Sequence, residues 1–231
     1  MKSLAIVLCA LSLAACSRQQ PDAPATAAPA EAPAVAKGSP PAPLPLSADQ
    51  QTHLVRPASP VMGPAAAPVT VVEFLDPACE ACRAFAPVVK QIQFLYPDEV
   101  RVVVRFAAFH PGSEEAVRIL MAAQRQKKFE PVLAALFDRQ EEWASHGSPD
   151  LAAAWKFAAA AGLDVDAARK EAASASVDAH LKQEEADITA LQVERTPTFY
   201  VNGKLLQDFG AQQLMNLVKS ELPAAAPAPA N

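Results

Sequence analysis

Val69-Thr-Val-Val-Glu-Phe-Leu75, Asp76-Pro77-Ala78 and Cys79-Glu80-Ala81-Cys82 follow one another, and this stretch decides the fold. The first seven residues are a β-branched apolar run, which predicts a buried strand. Pro77 and Ala78 lead into Cys79, and a helix is predicted from there toward Tyr96, kinked at Pro87. Val100-Arg-Val-Val-Val-Arg-Phe106 predicts a second strand. Strand, helix and strand in about 40 residues make a βαβ unit. Cys79 therefore falls at a helix N-terminus, where free backbone N–H groups and the macrodipole favour a thiolate over a thiol. Two intervening residues bring the Cys82 sulfur within bonding reach of Cys79.

Downstream, residues 113–191 read as four or five short helices. Ser113 is a candidate N-cap, with Glu114 and Glu115 suited to the positive helix end. Ser148-Pro149-Asp150 predicts a cap, a proline at the first helical position and an acid in the first turn. Gly162 is suited to ending that helix and Asp164 to capping the next. Thr198-Phe-Tyr-Val201, Asn202-Gly203 and Lys204-Leu-Leu206 predict a hairpin, since Asn-Gly favours the tight turn. Leu214, Leu217 and Val218 give a closing helix its apolar face.

Upstream, Leu4 to Leu13 form an apolar run of secretory-signal length, too short to span a bilayer. It ends in Leu13-Ala14-Ala15-Cys16, which resembles the lipobox of bacterial lipoproteins. That resemblance implies a signal over 1–15, lipidation of Cys16 and, through Ser17, sorting to the outer membrane. Residues 16–53 are rich in Ala and Pro and predict a disordered tether. Some thirty such residues would reach up to ~90 Å when extended. The folded domain is then expected at 54–222, with a helical insertion at about 112–190 and a disordered tail at 223–231.

The chain of 231 residues carries 20 basic and 25 acidic side chains, a net charge of −5, which argues against a nucleic-acid partner. Of its 4 cysteines, Cys9 lies in the signal and Cys16 in the lipobox, leaving Cys79 and Cys82 as a pair. In an oxidising compartment such a pair suits thiol–disulfide exchange: one sulfur attacks, the other resolves. A structural disulfide usually closes a longer loop. A zinc site would need two further ligands that no second Cys-x-x-Cys or His pair supplies. A copper carrier, with both thiolates and a distant histidine such as His110, stays open as the alternative of a different class.

Glu73-Phe-Leu-Asp-Pro-Ala-Cys79-Glu-Ala-Cys82, followed by Thr196-Pro197-Thr-Phe-Tyr-Val-Asn-Gly203, resembles the thioredoxin superfamily. Within it, the chain is similar to the DsbA-like periplasmic thiol–disulfide oxidoreductases, which carry a helical domain inserted into an α/β thioredoxin-like fold. The likeness covers roughly Leu54 to Leu222. It implies that Cys79 is the nucleophile, Cys82 the resolving thiol and Pro197 a cis-proline facing the disulfide. Thr196, before that proline, would offer its backbone to a substrate strand. Glu73 matches the buried acid that relays a proton to the resolving cysteine; the alternative is an acid on the solvent face of an edge strand. Two positions depart from the pattern. Strongly oxidising members have Pro-His between the cysteines, where this chain has Glu80-Ala81. Glu80 is therefore expected to oppose the thiolate and make the pair less oxidising. Arg195 stands where a glycine is common and is expected to bias partner choice.

His110 reads as a capping or surface residue, His53, His146 and His180 as solvated, and Phe85, Phe106, Phe109, Trp143 and Trp155 as core. No phosphate loop, serine-hydrolase motif or paired carboxylates at glycosidase spacing occur. The resulting expectation is a monomeric oxidoreductase, lipid-anchored to the cell envelope, needing no cofactor beyond its cysteine pair. It would act on protein thiols or disulfides in the periplasm and exchange electrons with a membrane or periplasmic redox partner. Oxidase and reductase directions stay open. An isomerase is least favoured, because the Ala/Pro tether occupies the place of a dimerisation domain.

Overall fold

The computed structural model describes residues 46–224. The signal, Cys16, most of the tether and the tail from 225 lie outside the described residues. Two parallel strands, β2 (Val69–Leu75) and β3 (Val100–Phe106), flank the helix α2 (Glu80–Leu95), as the βαβ reading expects. α2 continues through Pro87 without a break. A short β1 (Val61–Met62) pairs antiparallel with β3. β4 (Thr198–Val201) pairs antiparallel with β2, and β5 (Lys204–Leu205) returns beside it, giving the order β1-β3-β2-β4-β5. Asn202 and Gly203 both take positive φ, the geometry a two-residue hairpin turn requires. α9 (Ala211–Glu221) closes the chain.

Alternation along the strands assigns side chains to two faces. Val69 and Val71 of β2 meet Val89 and Ile92 of α2 and Leu214, Met215 and Val218 of α9. Val72 and Phe74 point the other way, toward Leu54, Leu191 and Val193. β2 is thus central and covered on both faces. The parity of Glu73 matches Val69 and Val71, which directs it to the α2 face rather than to solvent.

The insertion between β3 and β4 holds six helices, more than the four or five expected: α3 (Ser113–Arg125), α4 (Phe129–Asp138), α5 (Gln140–Trp143), α6 (Leu151–Ala160), α7 (Val165–Ala172) and α8 (Ala175–Leu191). Their core is rich in small side chains, including Ala116, Ala123, Ala154, Ala158 and Ala168, which let helices approach closely around Trp143. The Trp143 indole N–H donates to the Leu136 carbonyl at 2.8 Å, so its burial leaves no orphan donor. The same cluster takes in Leu75, Cys79 and Cys82, and the cysteine pair therefore sits on the seam between sheet and insertion.

Several local expectations are corrected. Residues 48–52, assigned to the tether by composition, form a helix, α1 (Ala48–Thr52). Ser47 and Gln50 make a reciprocal capping box, and Leu46 and Leu54 pack into the core, so the folded part begins before Leu54. Ser113 does not cap α3. Gly112 holds that position with φ 82°, and the Ser113 hydroxyl donates instead to Asp76. The cap of α6 is Asp150, accepting from Ala153 N, not Ser148. Phe109 is 44 % exposed rather than core. His53 and His180 are not free in solvent: His53 Nδ1 lies 2.6 Å from Asp187 and His180 Nε2 lies 3.0 Å from Glu184.

Those acids belong to a buried ion cluster that clasps the α1 segment onto the sheet. Arg105 of β3 is fully buried and lies 2.7 Å from Glu184 and 2.6 Å from Asp187 on α8. It also donates to the carbonyls of His53 and Leu54. Arg56 adds a second guanidinium against Asp187. Burial opposes ionisation of Asp187, but hydrogen bonds from Arg56, His53 and Arg105 prevail and hold it well below the usual carboxylate range.

Candidate active site

Cys79 is the N-cap residue of α2, with extended φ and ψ of −79° and 122°. Cys82 lies in the first turn and is completely buried. Both are free thiols. The Cys79 thiol donates to the Thr196 carbonyl at 3.3 Å, and the Asp76 backbone N–H donates to Cys82 Sγ at 3.4 Å. The Thr196–Pro197 bond is cis, and Pro197 is buried beside this contact. The Thr196 hydroxyl is buried with no partner among the described residues, leaving a donor available to a thiolate at Cys79.

The two sulfurs are pushed in opposite directions. The Cys79 thiol is lowered to about 5. The largest cause is the hydrogen bond from Cys82; burial opposes it, and Thr196 and the backbone N–H groups of Cys82 and Ala81 assist. Burial pushes the Cys82 thiol far up, as do its bond to Cys79 and the charges of Glu73 and Cys79. Glu73 is raised to about 8, chiefly by burial and then by Cys79. One oxygen of its carboxyl has no partner among the described residues. A reactive Cys79 thiolate, a protonated Cys82 and an acid that keeps its proton near neutrality can together pass electrons and a proton.

The loop entering Cys79 is pinned by a residue that the sequence reading passed over. Asp76 is fully buried. One carboxylate oxygen accepts from Ala78 N at 2.8 Å and from the Ser113 hydroxyl. The other accepts from Phe109 N at 2.8 Å, His110 N at 3.0 Å and His110 Nδ1 at 2.6 Å. Buried Gln140 of α5 also donates to the carbonyls of Pro77 and Cys79, at 2.8 and 3.0 Å. The signal available beforehand was slight: an acid just past a strand reads as a turn former, and a lone Gln reads as surface.

Glu80 is half-exposed at the first position of α2 and lies 2.6 Å from His146, in the loop between α5 and α6. Its pKa is lowered by its own backbone N–H, against some burial, and further by His146 and His110. Arg195 is exposed, at the rim of a groove of about 380 Å³ that includes Pro197, Phe199, Leu205 and Phe209. Cys16 lies outside the described residues. Among the described residues no three His, Cys, Asp or Glu side chains are grouped to hold a metal ion, and His110 Nδ1 is already engaged by Asp76.

A thioredoxin family model, Thioredoxin_4, matches residues 56–220, more than half of the chain. A thioredoxin-like oxidoreductase from Silicibacter pomeroyi is 29% identical, with a TM-score of 0.64 over 76% of this chain and 97% of that one. Alpha-DsbA1 of Wolbachia pipientis is 18% identical, with a TM-score of 0.65 over 74% of this chain and 94% of that one, a likeness of fold. The sodium/proton antiporter NhaA of Herminiimonas arsenicoxydans is 30% identical over 147 residues, covering 64% of this chain and 23% of that protein. The chain spans about a quarter of the length of the curated relatives it matches, so that likeness concerns one segment of them. With a five-stranded sheet, six helices inserted between β3 and β4, and Cys-x-x-Cys at the head of α2 opposite a cis-proline, the chain belongs to the thioredoxin family.

Proposed function

We propose that the protein is a thiol–disulfide oxidoreductase that exchanges disulfides with protein substrates in the periplasm through Cys79 and Cys82. The observation that carries this is the asymmetry of the pair: Cys79 lowered to about 5 beside the Thr196 carbonyl, Cys82 buried and raised. In the oxidising direction a substrate thiolate attacks Cys79 Sγ. The Cys79–Cys82 bond breaks, a mixed disulfide forms, and the Cys82 sulfur departs, taking the proton that Glu73 holds. A second substrate thiolate then attacks the substrate sulfur of the mixed disulfide. The substrate disulfide forms, and Cys79 leaves as a thiolate. Two electrons pass from substrate to enzyme; the reducing direction runs the same steps backward. No further cofactor is needed.

The groove beside Pro197 is the proposed substrate site. An extended peptide would lie along the Thr196 backbone, with apolar contact to Phe209 and charge selection by Arg195. No helix of the described residues is long and apolar enough to cross a membrane. Lipidation at Cys16 is the proposed anchor to the envelope, since an acylated cysteine supplies membrane affinity without a span.

Insulin reduction driven by dithiothreitol tests the activity. The wild type is expected to accelerate it, and Cys79→Ser to abolish the acceleration. Cys82→Ser is expected to accumulate mixed disulfides on non-reducing gels. A wild type without effect in both insulin reduction and oxidative refolding would overturn the proposal. Palmitate labelling of wild type and Cys16→Ala tests the anchor.

A further inference from the structure

A thiolate at Cys79 is largely enclosed, and neither Glu80 nor Ala81 can offer it a positive charge. Around it, α2 contributes Cys82, which is neutral, and Glu80, which is turned to His146. β2 contributes Glu73, which keeps its proton near neutrality. The cis-proline loop contributes a carbonyl and a hydroxyl from Thr196. The loop between β3 and α3 contributes His110.

We propose that His110, oriented by Asp76, is the positioning residue whose charge holds the Cys79 thiolate; the inference rests on the oxidoreductase reading above. Asp76 joins the two loops. Its side chain accepts from Ala78 N, its carbonyl accepts from Cys79 N at 3.1 Å, and its other carboxylate oxygen takes both the backbone N–H and Nδ1 of His110. One buried carboxylate therefore sets the Cys79 approach and the ring together. With Nδ1–H donated to Asp76, the second proton is gained at Nε2, which fixes the tautomer. The imidazole is about one-third exposed, so that proton exchanges with water. Partial burial lowers the basicity of His110. The hydrogen bond to Asp76 and the charges of Asp76, Cys79 and Glu80 outweigh it and raise the pKa. The cation at His110 and the anion at Cys79 stabilise each other. When Cys79 is released from a mixed disulfide, the developing anion favours the protonated form of His110, and that form favours the anion.

The test uses the reciprocity of such coupling: whatever His110 does for the Cys79 thiolate, the thiolate must do for His110. The imidazole is titrated by NMR in the reduced protein, which has the thiolate, and in the Cys79–Cys82 disulfide form, which does not. The expected result is a His110 pKa about one unit higher in the reduced form. In parallel, alkylation of Cys79 across pH should show its pKa rising by about one unit in His110→Gln, a tenfold smaller thiolate ratio at low pH. The potential should fall by about 30 mV, the same tenfold change for a two-electron couple. His110→Lys should restore part of both. Equal His110 pKa values in the two redox forms, or a His110→Gln variant with unchanged Cys79 pKa, would overturn the inference. Insulin reduction by the wild type reports separately on the oxidoreductase reading. If His110→Gln fails to fold, the wild-type titration still decides.

Discussion

Replacing Cys82 by alanine removes the largest influence lowering the Cys79 thiol, the hydrogen bond from the neighbouring thiol. A hydrogen bond to a charged group contributes about 1.5–3 kcal/mol. At about 1.4 kcal/mol per pKa unit, its loss corresponds to about one to two units. Thr196 and the N–H groups of Ala81 and residue 82 persist, so the pKa should move from about 5 to roughly 6–7, not to its ordinary value. At pH 6 the thiolate fraction would fall from about nine-tenths to between about one-half and one-tenth. The assay is alkylation by iodoacetamide across pH 3–9, on chain lacking the first 16 residues so that only the site thiols react. The midpoint is the readout rather than the rate, because a thiolate of higher pKa is also intrinsically more nucleophilic. Cys82→Ser keeps a donor and should shift the midpoint less. A Cys82→Ala midpoint within about 0.3 of the wild type would refute the reasoning, since the neighbouring thiol would then not be holding the anion.

Glu73 is raised to about 8, so between its ordinary value of 4.5 and 8 the folded protein binds more protons than the unfolded chain, and stability falls as pH rises through that window. Glu73→Gln should remove the slope: the variant's Tm minus that of the wild type should become more positive from pH 4.5 to 8 and then level off, and a pH-independent difference would count against a buried, titrating carboxyl. Arg105→Met leaves Glu184 and Asp187 buried without their main cation, and urea unfolding should show a loss of about 3–5 kcal/mol; a change below about 1 kcal/mol would mean that Arg56 alone suffices. With Cys79 lowered to about 5, between the handful of thiolates near 3.5 in DsbA and near 7 in thioredoxin, equilibration with glutathione should give a potential between about −120 and −270 mV. A value above −120 mV would contradict the order of those thiols.

The fold was largely legible because its signals are local. The valine-rich runs at 69–75 and 100–106 and the Asn202-Gly203 turn each state their conformation within a few residues, through steric preference and turn geometry. Cys79 at a helix start is likewise a matter of adjacent residues. Side-chain choices at helix ends were less legible. Ser113 has the chemistry of a cap, but its hydroxyl meets a stronger acceptor in Asp76, 37 residues away. The α1 segment sits in a composition that reads as tether, and only Leu46 and Leu54 entering the core distinguish it.

What tertiary structure alone decided is the electrical environment of the cysteine pair. Asp76 meets His110 across 34 residues, Glu80 meets His146 across 66, and Gln140 reaches the Cys79 carbonyl across 61. Arg105 finds Asp187 across 82. No periodicity or propensity encodes such pairs, because each depends on where the packed sheet and insertion bring distant loops together. Glu80 illustrates the difference. Adjacency to Cys79 suggested a charge opposing the thiolate, yet the folded chain gives that carboxylate a histidine from another loop. Charge acts through distance and burial in space, and neither is a property of neighbouring letters in the chain.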